Sequence, residues 1–145
     1  MNNYFILIIL AAAGGIAVAL QAHFMSLMGK SMGTGEGIFV TYFSGGLIIS
    51  LFMLLMRGGN LHAWQSVPWY ALTAGIVGLF IVGIIGYTAS QLGLAAAFTL
   101  ILAAQFGTSL LMDHFGLLGA AVHPLTFTRG LGVGVLFLGV WLIMR

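Results

Sequence analysis

The chain has 145 residues, of which 61% are hydrophobic and 4% are charged, and its mean hydropathy is +1.18. Because soluble domains carry about 25% charged residues, this composition excludes a water-soluble fold and indicates an integral membrane protein. No alternation of polar and apolar residues suggests membrane strands, so we predict an all-α fold. Two excess cations are too few for nucleic-acid binding, and the absence of cysteine excludes disulfides and thiolate metal sites.

Apolar segments that are long enough to cross a bilayer fill nearly the whole sequence. A span needs roughly 20 mainly apolar residues, and polar or glycine-rich breaks divide the sequence into five such segments. The N-terminus lacks the cationic region of a signal peptide, so we expect the first segment to be retained as a helix. The predicted spans are residues 4–27, 38–56, 69–89, 94–112 and 125–145. We expect them to form a single domain that covers residues 1–145.

Glycines and interfacial aromatic residues mark the first two connections. Residues 29–37 are rich in glycine and predict a flexible loop at the membrane surface. The Gly29-Lys30-Ser31 motif within it lacks the upstream glycine of a phosphate-binding loop, because Phe24 occupies that position. Residues 57–60 end the second span, and Pro68-Trp69 then marks a helix start at the headgroup level.

The fifth span must carry Arg129 within its first turns. About 15 residues separate Arg129 from Arg145, which corresponds to ~22 Å of helix. That length is shorter than a hydrocarbon core of roughly 30 Å. We therefore expect the fifth helix to begin near Leu125, and an odd number of spans places the two termini on opposite sides of the membrane.

The four cations divide evenly between the two sides of the membrane. With five spans, Arg57 and Arg129 share the side of the N-terminus, whereas Lys30 and Arg145 lie on the other side. A Lys/Arg bias normally fixes the orientation of a membrane protein, and here there is none. Either chance produced the balance and other signals set one topology, or the chain inserts both ways and pairs with an inverted copy. The small size favours dual topology, because ten helices in two inverted halves are a common transporter plan.

Polar side chains within the spans either bond neighbouring helices or line a cavity, and the sequence leaves both roles open. Gln105 lies near the middle of the fourth span, with Thr108 and Ser109 on the same face. One short loop joins the first two spans, so the polar groups that flank it lie at similar depths. A lone histidine near a helix end is more often structural than a proton sensor. The candidate substrate-binding residues are Gln21, His23, Tyr42, Ser44, Gln105 and Ser109.

Asp113 and Arg129 flank the connection between the last two spans. A charge at the bilayer centre costs about 2.5–3.5 kcal/mol on insertion scales, so we predict a structural ion pair that closes this hairpin. A proton-coupling role for Asp113 is the alternative. His114 and His123 lie nearby, but no helical His-x-x-x-His spacing supports a metal site. We predict no metal, no other cofactor and no enzymatic activity, since no nucleophile–base pattern is present.

Gly130 and Gly134 form a Gly-x-x-x-Gly pair in the fifth span. Small residues at this spacing allow two helices to approach closely. Because the fifth span has almost no polar side chain after Arg129, this face is predicted to pack against another helix, a partner chain or lipid.

Short motifs spread over nearly the whole chain point to one family. They are Gln21 with Leu27 and Gly29, Phe43-Ser44-Gly45-Gly46, Pro68-Trp69-Tyr70 with Gly75, Gln105, Asp113-His114-Phe115-Gly116 and Thr128-Arg129-Gly130. Together they resemble the YdcZ-like family of the drug/metabolite transporter superfamily. One departure is Met25, at a position where the family pattern has an asparagine.

The resemblance implies half of a drug/metabolite-type inverted repeat in the bacterial inner membrane. It implies an antiparallel dimer, with a second copy or an inverted paralogue, and a cavity between helices 1 to 4 of the two copies. The first span has no carboxylate, so the proton-coupled mechanism of the small multidrug-resistance relatives is not implied. We predict a small multi-pass transporter whose neutral cavity accepts a small or amphipathic solute. The alternatives are a non-transporting accessory or assembly subunit and a dual-topology ion channel.

Overall fold

A computed structural model describes the backbone of residues 2–145 and the side chains of residues 4–145. The long elements are the α-helices α1 (Asn2–Ser31), α2 (Thr34–Leu55), α3 (Ala74–Leu92), α4 (Leu94–Phe115) and α5 (Phe127–Ile143). Short 3-10 helices cover Leu61–Ser66, Trp69–Thr73 and Leu117–Gly119. The helices confirm the predicted all-α class.

Four helical segments are long and apolar enough to span a membrane. They are Tyr4–Ser31, Thr34–Leu55, Trp69–Leu92 and Leu94–Phe115. Helix α5 is apolar but has 17 residues, or ~25 Å, which is the lower end of the range for a span. Its start at Phe127 carries Arg129 in the first turn, as predicted. At most 11% of the residues in the most apolar stretch of any of the four spans are buried, so most of these residues require further cover by lipid or protein.

The chain divides into two compact units, Met1–Gln91 and Leu92–Arg145. The first contains α1, α2 and nearly all of α3, and the second contains α4 and α5. The organisation of residues 1–145 as a single domain stays a prediction.

Met25 is the packing centre of the first unit, with an exposed fraction of 1%. The Thr41 hydroxyl of α2 lies 2.9 Å from the Met25 sulfur and 2.8 Å from the Gly37 carbonyl oxygen. On α3, a Cβ atom added to Gly86 would lie 3.2 Å from both Cβ and Cε of Met25. Met25 therefore joins three helices.

The connection between α1 and α2 is shorter than the glycines predict. The loop expected over residues 29–37 is wrong, since α1 continues to Ser31 and α2 begins at Thr34. Gly33 makes the reversal with φ of 108°, a conformation that favours glycine. A Cβ at Gly37 would lie 3.2 Å from the Cβ of Met28. Close packing of the two helices thus outweighs the cost of about 1 kcal/mol that a glycine imposes on a helix.

The α4–α5 hairpin is held by contacts across its connecting segment. Gly116 ends α4 in the left-handed conformation, with φ of 61°. The His123 amide donates to the Asp113 carbonyl oxygen at 2.8 Å. The Leu125 amide donates to Nδ1 of His114 at 3.2 Å, so one histidine side chain anchors the segment that leads into α5.

Replacing His114 by phenylalanine removes the acceptor for the Leu125 amide while keeping a ring beside Phe115. We expect the peptide around Leu125 to exchange its amide hydrogens about 2- to 10-fold faster, because a net hydrogen bond contributes about 0.5–1.5 kcal/mol. Hydrogen-exchange mass spectrometry on the purified protein measures this change. His114→Asn is the control, since its side-chain oxygen can occupy the position of Nδ1. Equal exchange in the phenylalanine variant and the original protein would contradict the anchoring role.

Candidate functional site

A groove of about 450 Å³ lies between α1 and α2 in the first unit. This volume falls within the range of about 300–1,000 Å³ that is typical of small-molecule sites. Its walls are mainly apolar and include Leu20 and Phe24. Its polar side chains are Gln21, Thr41 and Ser44. The structure therefore brings two of the predicted substrate-binding residues, Gln21 and Ser44, to one groove.

Gln21 provides the amide of this groove. Its side chain has no hydrogen-bond partner among residues 2–145, and the residue is exposed. Gln21 also lines a separate, much smaller cavity of about 10 Å³ beside Met25 and Val82. This volume is at the lower limit for one water molecule. An amide carries two donors and one acceptor, and unsatisfied polar groups in lipid are costly. The Gln21 amide thus requires a partner from outside the described contacts.

The two hydroxyl groups of the groove already donate hydrogen bonds to acceptors in α2 and α1. Ser44 Oγ donates to the Val40 carbonyl oxygen at 2.7 Å, and Thr41 Oγ1 has Gly37 and Met25 as its acceptors. Each hydroxyl proton is therefore in use, whereas the oxygen lone pairs remain available as acceptors. Together with the Gln21 amide they make a polar lining without formal charge.

His23 and Tyr42 do not line this groove. His23 is exposed, and its ring centroid lies 6.3 Å from that of Phe24. Tyr42 faces α3, where a Cβ added to Gly78 would lie 2.5 Å from the tyrosine hydroxyl oxygen. Residues two apart in a helix point to different faces, so Gln21 and His23 cannot share one groove. A binding role for His23 or Tyr42 stays a prediction.

A second groove, of about 520 Å³, lies between α4 and α5. It contains Ser109 together with Asp113 and Arg129. Gln105 is exposed on α4 and is not among its lining residues. The structure thus places Ser109 with the two charged residues rather than with Gln105, and the roles predicted for Gln105 and Ser109 stay predictions.

Asp113 and Arg129 share the second groove without a direct ion pair between them in the described residues 2–145. Nη1 of Arg129 donates instead to the His123 carbonyl oxygen at 3.5 Å. The Arg129 amide donates at 3.4 Å to Thr126 Oγ1, which caps α5. The predicted ion pair stays a prediction, while the contacts that hold the hairpin in the structure are those of His114 and His123.

Gly130 and Gly134 face open space in the structure. No heavy atom lies within 4 Å of a Cβ position built on either residue, the helix backbone aside. They are therefore not used for close helix packing within the described part of the chain. Their role in packing against a partner stays a prediction.

Sequence reasoning missed Thr41 as a member of the first groove. Its position three residues before Ser44 places both hydroxyls on one face of α2, and this spacing was the available signal. The role of Met25 in the core had no comparable signal, because methionine fits both lipid-facing and buried positions.

Several apolar helices with little buried surface, and a neutral groove sunk between two of them, define a multi-pass membrane protein with a candidate solute site. A family model described as "Putative inner membrane exporter, YdcZ" matches residues 6–142. The chain therefore belongs to this family of the drug/metabolite transporter type, and it is a multi-pass protein of the inner membrane. No curated protein and no solved structure matches the chain.

Proposed function

We propose that this protein exports a small neutral, zwitterionic or amphipathic solute that contacts Gln21 in the groove between α1 and α2. Membership of an exporter family supports the transport of a solute. The observation that carries the assignment of the site is the Gln21 amide, which lies in a groove of about 450 Å³ without a partner in residues 2–145.

The lining of the groove favours solutes without net charge. Its polar groups are one amide and two hydroxyl oxygens, and no ionisable side chain is among its lining residues. An ion would enter without a counter-charge in a low-dielectric environment, which is strongly unfavourable. A solute with hydrogen-bonding groups and apolar parts instead matches both the amide and the walls.

We further propose that two copies work as an antiparallel dimer. The support comes from the predicted five-span topology, which places two of the four cations on each side, and from the large exposed apolar surface. Gly130 and Gly134 add an open small-residue face on α5 that suits close approach of a second helix. Ten helices in two inverted halves would then provide alternating access to a site near the bilayer midplane. A partner encoded by an inverted paralogue is the other form of this proposal.

Replacing Gln21 by alanine tests the site. We expect the variant to bind its solutes about 2- to 10-fold more weakly, because it loses hydrogen bonds that contribute about 0.5–1.5 kcal/mol each. The measurement is ligand-induced stabilisation of the purified protein with a panel of neutral and zwitterionic amphipathic compounds, followed by uptake into everted membrane vesicles. Gln65→Ala is the matched control, since Gln65 is exposed in the segment between α2 and α3.

Three outcomes would contradict this assignment. Binding and uptake that are equal in the Gln21→Ala variant and the original protein would place the site elsewhere. If no compound binds and both Gln21→Ala and Gln105→Ala behave normally in cells, an accessory or assembly role replaces transport. Single-channel currents in a planar bilayer would support an ion channel instead.

A further inference from the structure

The groove between α4 and α5 is built from two matching helical stripes. Both helices contribute residues at positions i, i+3, i+4 and i+7, which lie on one helical face. The α4 stripe is Phe106, Ser109, Leu110 and Asp113, and the α5 stripe is Arg129, Gly132, Val133 and Leu136. Because the helices form an antiparallel hairpin, both charged residues lie at its connected end and both stripes run away from it.

The two ends of this groove differ sharply in polarity. Asp113 is in the last turn of α4 and Arg129 is in the first turn of α5, which places them near a membrane–water interface. Asp113 is seven positions after Phe106, and Leu136 is seven positions after Arg129, so each stripe extends ~10 Å along its helix. The groove therefore combines a charged mouth at headgroup level with an apolar channel that runs toward the hydrocarbon core.

Asp113 and Arg129 line one shared space at the mouth of the groove. No direct ion pair joins Asp113 to Arg129 in the described part of the chain, and Arg129 contacts the His123 carbonyl oxygen only at the limit of hydrogen-bond distance, 3.5 Å. The N-terminus of α5 adds a partial positive charge on the arginine side. A ligand that carries one anionic and one cationic group would satisfy both side chains at once.

We propose that this groove binds one zwitterionic phospholipid with a primary-amine headgroup. This lipid site is separate from the groove of Gln21. The lipid phosphate contacts Arg129, the ammonium group contacts Asp113, and an acyl chain lies along Phe106, Leu110, Val133 and Leu136. Arginine matches phosphate geometry with paired donors, and the carboxylate accepts hydrogen bonds from the ammonium. An anionic lipid without an amine would leave Asp113 beside a phosphate, which is repulsive.

The inference does not depend on the proposed transport function, because its test measures lipid binding alone. Purified protein in detergent is titrated with phosphatidylethanolamine, phosphatidylcholine or phosphatidylglycerol, and bound lipid is counted by native mass spectrometry. We expect one phosphatidylethanolamine per chain, bound at least about 5-fold more tightly than either of the other two. The preference arises because only this lipid offers ammonium N–H donors.

Charge-neutralising variants identify the two halves of the headgroup. Arg129→Gln is expected to weaken binding of all three phospholipids by about 10-fold, because the charge-assisted bonds to phosphate are lost. Asp113→Asn is expected to remove the preference for phosphatidylethanolamine over phosphatidylglycerol. Arg57→Gln and Glu36→Gln are the matched controls, since each removes a charge of the same sign outside this groove.

Filling the groove tests its apolar part. A Cβ at Gly132 would meet no heavy atom within 4 Å outside its own helix backbone, so Gly132→Leu places a side chain in the groove without displacing backbone. We expect this variant to lose the bound phospholipid while its thermal stability in detergent is retained. Gly75→Leu is the control, because Gly75 also faces open space but lies in α3 of the first unit.

Three results would overturn the proposal. They are equal binding of the three phospholipids, an unchanged lipid preference in Asp113→Asn, and full lipid binding by Gly132→Leu. Normal lipid binding together with failure of every solute test would leave this site standing and reject only the transport assignment.

Discussion

A single added lysine is expected to fix the orientation of this protein in the membrane. His62→Lys adds a cation to the side of the N-terminus, and Gln91→Lys adds one to the opposite side, so each breaks the balance of two against two. Positively charged residues are retained in the cytoplasm. We therefore expect the C-terminus to lie outside in nearly all copies of His62→Lys and inside in nearly all copies of Gln91→Lys.

The measurement exploits the absence of cysteine from the chain. A cysteine added after Arg145 reacts with a membrane-impermeant maleimide only where the C-terminus lies outside. For the original sequence we expect labelling of about half of the molecules, because no Lys/Arg bias selects one orientation. His62→Gln and Gln91→Asn are the neutral controls. If the original protein has a single orientation and neither added lysine changes it, a dimer of two inverted copies of this chain is excluded.

Gly86→Leu is expected to destabilise the packing of α1 against α3. A Cβ at Gly86 would lie 3.2 Å from the Cβ of Met25 and 3.7 Å from its carbonyl oxygen. Unlike the end of a flexible side chain, neither atom can move without moving the backbone of α1. We expect a loss of about 1–3 kcal/mol or more in the free energy of unfolding, which is the usual range for an overpacked core.

Unfolding in mixed micelles measures this loss, with Gly75→Leu as the matched control in the same helix. Gly75 faces open space, so its variant is expected to unfold like the original protein. Met25→Ala alone should cost about 2–5 kcal/mol. In the Gly86→Leu background it should cost less, because the two residues are in contact and their effects are not additive. Equal stability of the Gly86→Leu and Gly75→Leu variants would contradict this packing.

The number and the approximate limits of the helices follow from simple lengths. Roughly 20 apolar residues are needed for a span, and that requirement located the four long spans. The distance from Arg129 to Arg145 required the fifth helix to begin before the arginine, and α5 begins at Phe127. These predictions hold because the bilayer imposes a similar minimum length on every span, whatever the packing.

The glycine-rich stretch shows where local reasoning fails. Glycine lowers helix propensity, so residues 29–37 predict a loop. In the structure Gly33 makes the turn and Gly37 lies against Met28, while the helices continue almost to the turn. Close contact between α1 and α2 decides this outcome. That contact forms only after the turn at Gly33 has brought the two helices together, so local sequence reasoning does not detect it.

The candidate site, too, was predicted only in part from the sequence. Similar depth predicted that polar groups of the first two spans converge, and Gln21 and Ser44 do share a groove. Depth gives no information on direction around a helix axis. Because residues two apart point to different faces, His23 and Tyr42 lie elsewhere, and Tyr42 contacts α3 beside Gly78.

The sequence by itself determined that this is a helical membrane protein with few charges, since both properties depend only on composition and on the length of the apolar segments. The tertiary structure decided which residues meet. It placed Met25 in the core, exposed the Gln21 amide in a groove, and directed Asp113 and Arg129 into one space. The physical reason is that apolar side chains suit both lipid and protein interiors, so hydrophobicity cannot specify which helical face packs inward.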